Sequence, residues 1–283
     1  MSKYSETAAR WIEQKTDRVY PAPLSAESGA GYTLQMKLIT LNTWGGRVGD
    51  PFLDFFKKYN NVEVFLLQEV FHQALERVNF MFEGIGGRMN LFDELCEILP
   101  DHQGYFAVAQ SEGWGLASFV HKKITVAEEG DIFVHRSKDA MIETDGKTLG
   151  KNIQYLKIVS QKRNFTAINF HGLWNGGEKT DTGDRINQSK KILNFTKSLS
   201  GDFVLGGDFN LLPTTKSLKM LEREAGLRNL VREYGVTSTR TSFYTKPHKF
   251  ADYVLITPGI KVVDFKVLSD EVSDHAPLYL EFE

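Results

Sequence analysis

The 283-residue chain has a single cysteine, Cys96. One thiol excludes an internal disulfide and agrees with a reducing compartment. Cys96 lies in the apolar pattern LFDELCEIL and is expected as a core thiol. No apolar run approaches the ~20 residues that span a bilayer, and VEVFLLQ at 62–68 has only the length of a strand. MSKYSETAARWIEQKTDR lacks the apolar stretch of a secretory leader, so a cytoplasmic location is expected. Positive charge is not in excess either: 34 Lys and Arg against 36 Asp and Glu leave a formal net charge of −2. Proteins that grip long duplexes by neutralising phosphates usually carry a basic surface. Any affinity for nucleic acid must therefore come from a local patch. No internal repeat or low-complexity block is present.

What the sequence does contain is a mixture of short strands and helices. KLITLN (37–42), VEVFLLQE (62–69), GLASFVH (115–121), NIQYLKIV (152–159), NFTAINFH (164–171), DFVLGG (202–207), FADYVLI (250–256) and LYLEFE (278–283) read as strands from their β-branched and aromatic content. Segments 50–59, 91–99, 183–199 and 215–226 have the 3.6-residue spacing of helices, and Thr182 is placed to cap the third. The turn QKRN at 161–164 sets two strands of matching length as a hairpin. Residues 1–35 differ: 5–19 could form one amphipathic helix, and PAPLSAESGAG is linker chemistry. They are expected to form an N-terminal appendage or leader, with one α/β domain over 36–283.

The ends of the strands carry the chemistry. KLITLN ends in Asn42, FLLQE in Glu69, TAINFH in His171, and FVLGGDFN in Asp208 and Asn210. Asp252 starts another strand, and Asp274 and His275 precede the last. Any one of these is compatible with an ordinary turn. Together they imply convergence, because an isolated buried carboxylate costs several kcal/mol or more. Strand ends that meet can share a cation. In DFVLGGDFNLLP, period-two alternation puts Asp208 and Asn210 on one side and Phe209 on the other. Gly206 and Gly207 are expected to let the backbone approach closely at the sheet end.

Asn42 in NTW, Glu69 in QEV, His171 in HGLW, Asp208 and Asn210 in GGDFN, Asp252 in ADYVL, and Asp274 and His275 in SDHAP resemble the endonuclease/exonuclease/phosphatase superfamily, the deoxyribonuclease I-like proteins. The resemblance covers essentially all of 36–283. It implies a four-layer sandwich of two mostly antiparallel β-sheets face to face, with helices outside and the active site at one end. It also implies hydrolysis of phosphate esters with a divalent metal, usually Mg²⁺, with Mn²⁺ as a substitute. Glu69 would then be the principal metal ligand, with Asn42 beside it, while Asp274 completes the site or holds a second ion. Asp208 would orient or deprotonate the attacking water, and Asn210 would hydrogen-bond it and the phosphate. His275 would bind a phosphate oxygen or act as base, with Asp252 on its other ring nitrogen. His171 would hydrogen-bond the phosphate or serve as general acid.

Weaker substrate-binding candidates are Asn152, Trp174, Arg185, Arg240 and Tyr244. The last two lie in TRTSFYTKPHKF, which mixes aromatics with cations and so suits stacking and phosphate contact. His72, His102, His121, His135 and His248 fall outside the motifs. The resemblance makes a nucleic acid or nucleotide-like ester the first expected substrate, acted on by a monomer. A phosphoinositide or phospholipid esterase is the alternative, disfavoured because no membrane-inserting aromatic hairpin stands out. A non-catalytic binding protein on this fold is the rival from another class, opposed by the complete set of polar residues.

Overall fold

The computed structural model describes residues 35–74, 86–110, 113–138, 149–160, 164–174 and 176–283. The expected helix and linker before residue 35 and the QKRN turn fall wholly or mainly outside them. In chain order the described elements are β1 (Met36–Asn42), α1 (Asp50–Lys58), β2 (Val64–Phe71), α2 (Leu91–Ile98), β3 (His102–Gln110), β4 (Trp114–His121), β5 (Thr125–His135), β6 (Lys151–Val159) and β7 (Asn164–His171). They continue with α3 (Gly183–Ser198), β8 (Asp202–Asp208), α4 (Lys216–Glu224), β9 (Arg228–Asn229), α5 (Leu230–Glu233), β10 (Asp252–Ile256), β11 (Val262–Val267) and β12 (Leu278–Phe282).

Alternation decides which side chains face where. In β1 and β2, Leu38, Val64 and Leu66 pack with Ile168, Val204 and Val254 of the second sheet. Their neighbours Ile39, Leu41, Phe65 and Leu67 turn the other way and pack on Phe52, Phe55 and Phe56 of α1 and Leu91 and Leu95 of α2. The helices form because their apolar residues recur at helical spacing and their ends are satisfied. Pro51 occupies the first turn of α1 and Lys57 and Lys58 its last. The Thr182 side chain caps α3 by accepting from the Arg185 N–H, as its position predicts.

Two six-stranded sheets result, with orders β11-β12-β1-β2-β4-β3 and β5-β6-β7-β8-β10-β9. Most neighbours are antiparallel, including the expected β6–β7 hairpin. The exceptions are β1 with β2 and β7 with β8. A parallel pair brings two C-terminal ends to the same edge. Asn42 therefore pairs with Gln68, and His171 with Asp208.

A polar network lies between the sheets beneath that edge. Gln68 Nε2 donates to Asn169 Oδ1 at 2.7 Å, and Asn169 Nδ2 donates to the carbonyls of Leu67 at 2.9 Å and Ala117 at 3.1 Å. Ser118 donates to Gln154 Oε1 at 2.8 Å. One expectation is corrected here. Cys96 is exposed, because the buried stripe of α2 runs through Leu91 and Leu95 and turns the next residue outward.

Candidate active site

Glu69 is not at the end of its strand, since β2 continues to Phe71. The β2–β4 register shifts between Leu67 and Val70, and Glu69 itself takes φ 57°, a conformation rare for a side-chain-bearing residue. This bulge re-aims the carboxylate. It is pinned by Thr43 Oγ1, which donates to the carbonyls of Gln68 at 3.0 Å and Glu69 at 2.8 Å. Asn42 Nδ2 then reaches both Glu69 Oε1 and Asp208 Oδ2, each at 3.1 Å.

Asp208 Oδ2 is the hub. Besides Asn42, it accepts from Asn210 Nδ2 at 3.2 Å and lies 3.6 Å from His275 Nε2 and 3.8 Å from His171 Nε2. Strand alternation is not what pairs Asp208 with Asn210. The strand stops at Asp208, whose Oδ1 accepts the Asn210 N–H at 2.8 Å, and Asn210 turns to φ 52°. Phe209 is buried against Phe170 and Tyr253. Gly207 has φ 148°, and a Cβ there would sit 1.9 Å from the Phe170 carbonyl oxygen. Gly206 would meet only ordinary contacts at 3.4 Å, so the close approach belongs to Gly207 alone.

Asp252 Oδ1 lies 2.7 Å from His275 Nδ1, and its Oδ2 accepts from Thr239 at 2.9 Å. Burial alone would lower the pKa of His275, but Asp252, Asp274 and Asp208 outweigh it and raise that pKa. Burial likewise opposes ionisation of Asp208. The surrounding His275, Lys179, His171 and Arg240 prevail and hold the carboxyl well below its usual range. Glu69 moves the other way: burial pushes its pKa up, against the Asn42 hydrogen bond and the charge of His275. Asp208, Asp252 and His275 offer ligand atoms within 4.8 Å of one another and could hold a metal ion.

Two buried lysines in the site were not anticipated from the sequence. Lys151 Nζ lies 3.5 Å from His171 Nδ1 and 4.6 Å from the Trp114 ring centroid. Lys179 Nζ donates to Asn210 Oδ1 at 2.8 Å. Burial lowers the pKa of Lys151 to about 8, despite Glu69 and Asp208 nearby. Burial followed by the Lys151 charge sends His171 well below its ordinary value. An ammonium only donates, so Nδ1 of His171 accepts and the ring proton sits on Nε2, 3.6 Å from Glu69 Oε1.

The weaker candidates divide. Arg240 donates to Asp274 Oδ2 at 3.0 Å and stacks on Tyr244, its guanidinium 3.9 Å from the ring centroid. Trp174 is 45% exposed, with Lys246 over its ring. Asn152 and Arg185 are engaged with other parts of the protein. Asn152 is buried and donates to Asp131 at 3.1 Å, one position after the lysine that does reach His171. The buried Arg185 guanidinium braces the loop before α3, donating to the carbonyls of Glu178 and Thr180 at 2.6 Å each. The histidines outside the motifs have other partners, such as Asp93 for His72, the Val62 carbonyl for His102 and Glu178 for His248.

Two facing mixed sheets between helices, with a carboxylate–histidine cluster at one end, are the deoxyribonuclease I-like sandwich. The sequence profile of the Endonuclease/Exonuclease/phosphatase family matches residues 39–275. The chain belongs to that family, whose members hydrolyse phosphate esters. An endonuclease/exonuclease/phosphatase family protein from Bacteroides thetaiotaomicron superposes with a TM-score of 0.67 at 17% identity, covering 88% of this chain and 94% of that one. The mannosyl-6-phosphatase of B. thetaiotaomicron VPI-5482 gives 0.66 at 17% identity over 88% and 99%. D. rerio TDP2 complexed with single strand DNA product gives 0.63 at 13% identity over 88% and 99%. At these identities the likeness is one of fold. Comparison with curated protein sequences returned no match.

Proposed function

We propose that this chain is a divalent-metal-dependent phosphoesterase acting on a nucleic acid or nucleotide-like ester. The observation that carries the reading is the Asp208 hub, where one buried carboxylate oxygen meets Asn42, Asn210, His171 and His275 within 3.8 Å. Asn42, Glu69 and Asp274 would hold Mg²⁺ or Mn²⁺. Their donors fit a hard cation, and Asp274 Oδ1 is buried without a hydrogen-bond partner among the described residues. Asp208 and Asp252 are less suited to a shared ion, because the Nδ1 of His275 is engaged by Asp252. When bound, the cation supplies neutralisation of the phosphate's charge.

The chain's own groups do the remainder. Asp208 takes the proton of the attacking water or orients it, and Asn210 keeps that carboxylate aimed. His275, held by Asp252, donates from Nε2 to a phosphate oxygen. His171, neutral with its proton on Nε2, is suited to hydrogen-bond the phosphate rather than to protonate a leaving group. Trp44, Phe243 and Trp174 at the rim suit a planar leaving group. Trp44 and Phe243 have ring centroids 6.4 Å apart, and Arg47 lies over Trp44 at 4.8 Å.

Hydrolysis of bis(p-nitrophenyl) phosphate and of plasmid or single-stranded DNA should require Mg²⁺ or Mn²⁺ and stop with EDTA. Asp208→Asn and His275→Ala should each lose roughly 10²–10⁴-fold in rate while still folding. Near-wild-type rates in both variants would refute the roles assigned here.

A further inference from the structure

Lys151 and Lys179 are almost fully buried, at 5% and 4% exposure. Neither has a carboxylate oxygen within ion-pair distance among the described residues. A buried ammonium without an anion is costly. Other charges in the site are already matched, His275 with Asp252 at 2.7 Å and Arg240 with Asp274 at 3.0 Å. The two lysines instead touch neutral groups, the ring of His171 and the amide oxygen of Asn210, leaving N–H donors unused.

Their placement is specific. His171 and Asn210 both contact Asp208, so each ammonium group is one side chain removed from the hub. Lys151 feels the charges of Glu69 and Asp208, and Lys179 those of Asp208, Asp252 and Asp274. The carboxylates Glu69, Asp208 and Asp274 are faced by Lys151 and Lys179 and also by Arg240, Arg47 and Arg185. A divalent cation bound among them adds to an already cationic surround. A phosphodiester brings one negative charge and a phosphomonoester near neutral pH close to two.

We propose that Lys151 and Lys179 form a cation pair that selects phosphomonoesters, their ammonium groups donating to the terminal oxygens of a phosphate dianion bound beside Asp208. The inference rests on the phosphoesterase reading above and makes an ester with a terminal phosphate the preferred substrate over the internal diesters that reading also admits. Both lysines are specificity determinants in direct contact with substrate. Ester cleavage itself is unchanged: water adds to phosphorus, the P–O bond to the leaving group breaks, and the leaving oxygen takes up a proton.

The test compares p-nitrophenyl phosphate with bis(p-nitrophenyl) phosphate, with Mg²⁺, in the full chain. The wild type should favour the monoester in kcat/KM. Lys151→Met and Lys179→Met should each lower the monoester-to-diester ratio roughly 10–100-fold, the worth of one charge-assisted hydrogen bond. Lys151→Arg and Lys179→Arg should recover part of it. A second measurement omits catalysis. In EDTA, millimolar orthophosphate should raise the melting temperature of the wild type but of neither Met variant. Without phosphate, both Met variants should melt no lower than the wild type, which shows that they fold. A wild-type preference for the diester, a parallel loss on both esters, or phosphate stabilisation that survives in both Met variants overturns the proposal. If the wild type hydrolyses neither ester, the phosphoesterase reading fails, and the orthophosphate shift still decides whether the lysines form an anion site.

Discussion

Burial lowers the pKa of the Lys151 ammonium to about 8, against roughly 10.4 in an unfolded chain. The groups facing it are His171 Nδ1, the Trp114 ring and, through space, Glu69 and Asp208. The folded state therefore binds fewer protons than the unfolded state between these two values, and stability rises with pH across that window. Below about pH 8 the full cost of the buried charge is present, about 3 kcal/mol for a shift of this size. Lys151→Met removes it. Urea unfolding at pH 7 should find the variant more stable by about that amount, with the gap closing by pH 10. A gap that does not change with pH would show that the ammonium is better solvated than its burial implies.

At the scale of elements, the β7–β8 pair sets the distance between His171 and Asp208, and it does so through a glycine. A Cβ at residue 207 would lie 1.9 Å from the Phe170 carbonyl oxygen, and its φ of 148° strains any side-chain-bearing residue. Gly207→Ala should cost about 3 kcal/mol, lowering the melting temperature by roughly 6–12 °C. Gly206→Ala, with contacts no closer than 3.4 Å, is the control that should cost far less. The tripeptide GGD was legible as a close approach, but only the register of a parallel strand shows which glycine makes it.

The same division runs through the other elements. Strands rich in β-branched and aromatic residues were readable because their composition and turn boundaries are local signals. The edge strand β5 was not, because TVAEEGDIFVH is mostly exposed and charged and gains its order by pairing with β6. Glu69 was recognisable as a site residue, whereas the bulge that aims it arises from pairing with β4. Lys151 escaped notice because a lysine at a strand start ordinarily lies in solvent. Only the fold places Trp114 and His171 around it. Asn152, its neighbour, drew attention for the same strand end but spends its amide on Asp131 and the Val108 carbonyl.

At the scale of the molecule, both sheets are assembled from strands that begin at Met36 and end at Phe282. Every described group around Asp208 lies between Asn42 and His275. Met36 is itself the first paired residue of β1, opposite Phe282 of β12, and its side chain is buried in the core shared by the two sheets. The described strands and the site groups all lie within Met36–Phe282, and we propose that residues 1–35 are an appendage to a catalytic domain spanning 36–283. A chain beginning at Met36 should melt within a few degrees of the full chain and hydrolyse p-nitrophenyl phosphate with kcat/KM within about threefold. A chain beginning at Thr40 would lose most of β1, including its pairing with Val64 and Phe65 of β2 and with Phe282 to Tyr279 of β12. It should not yield a folded protein, because β1 joins the two halves of its sheet. If the Met36 chain folds but loses activity more than tenfold, the N-terminal segment contributes to the active site and the proposed boundary is wrong.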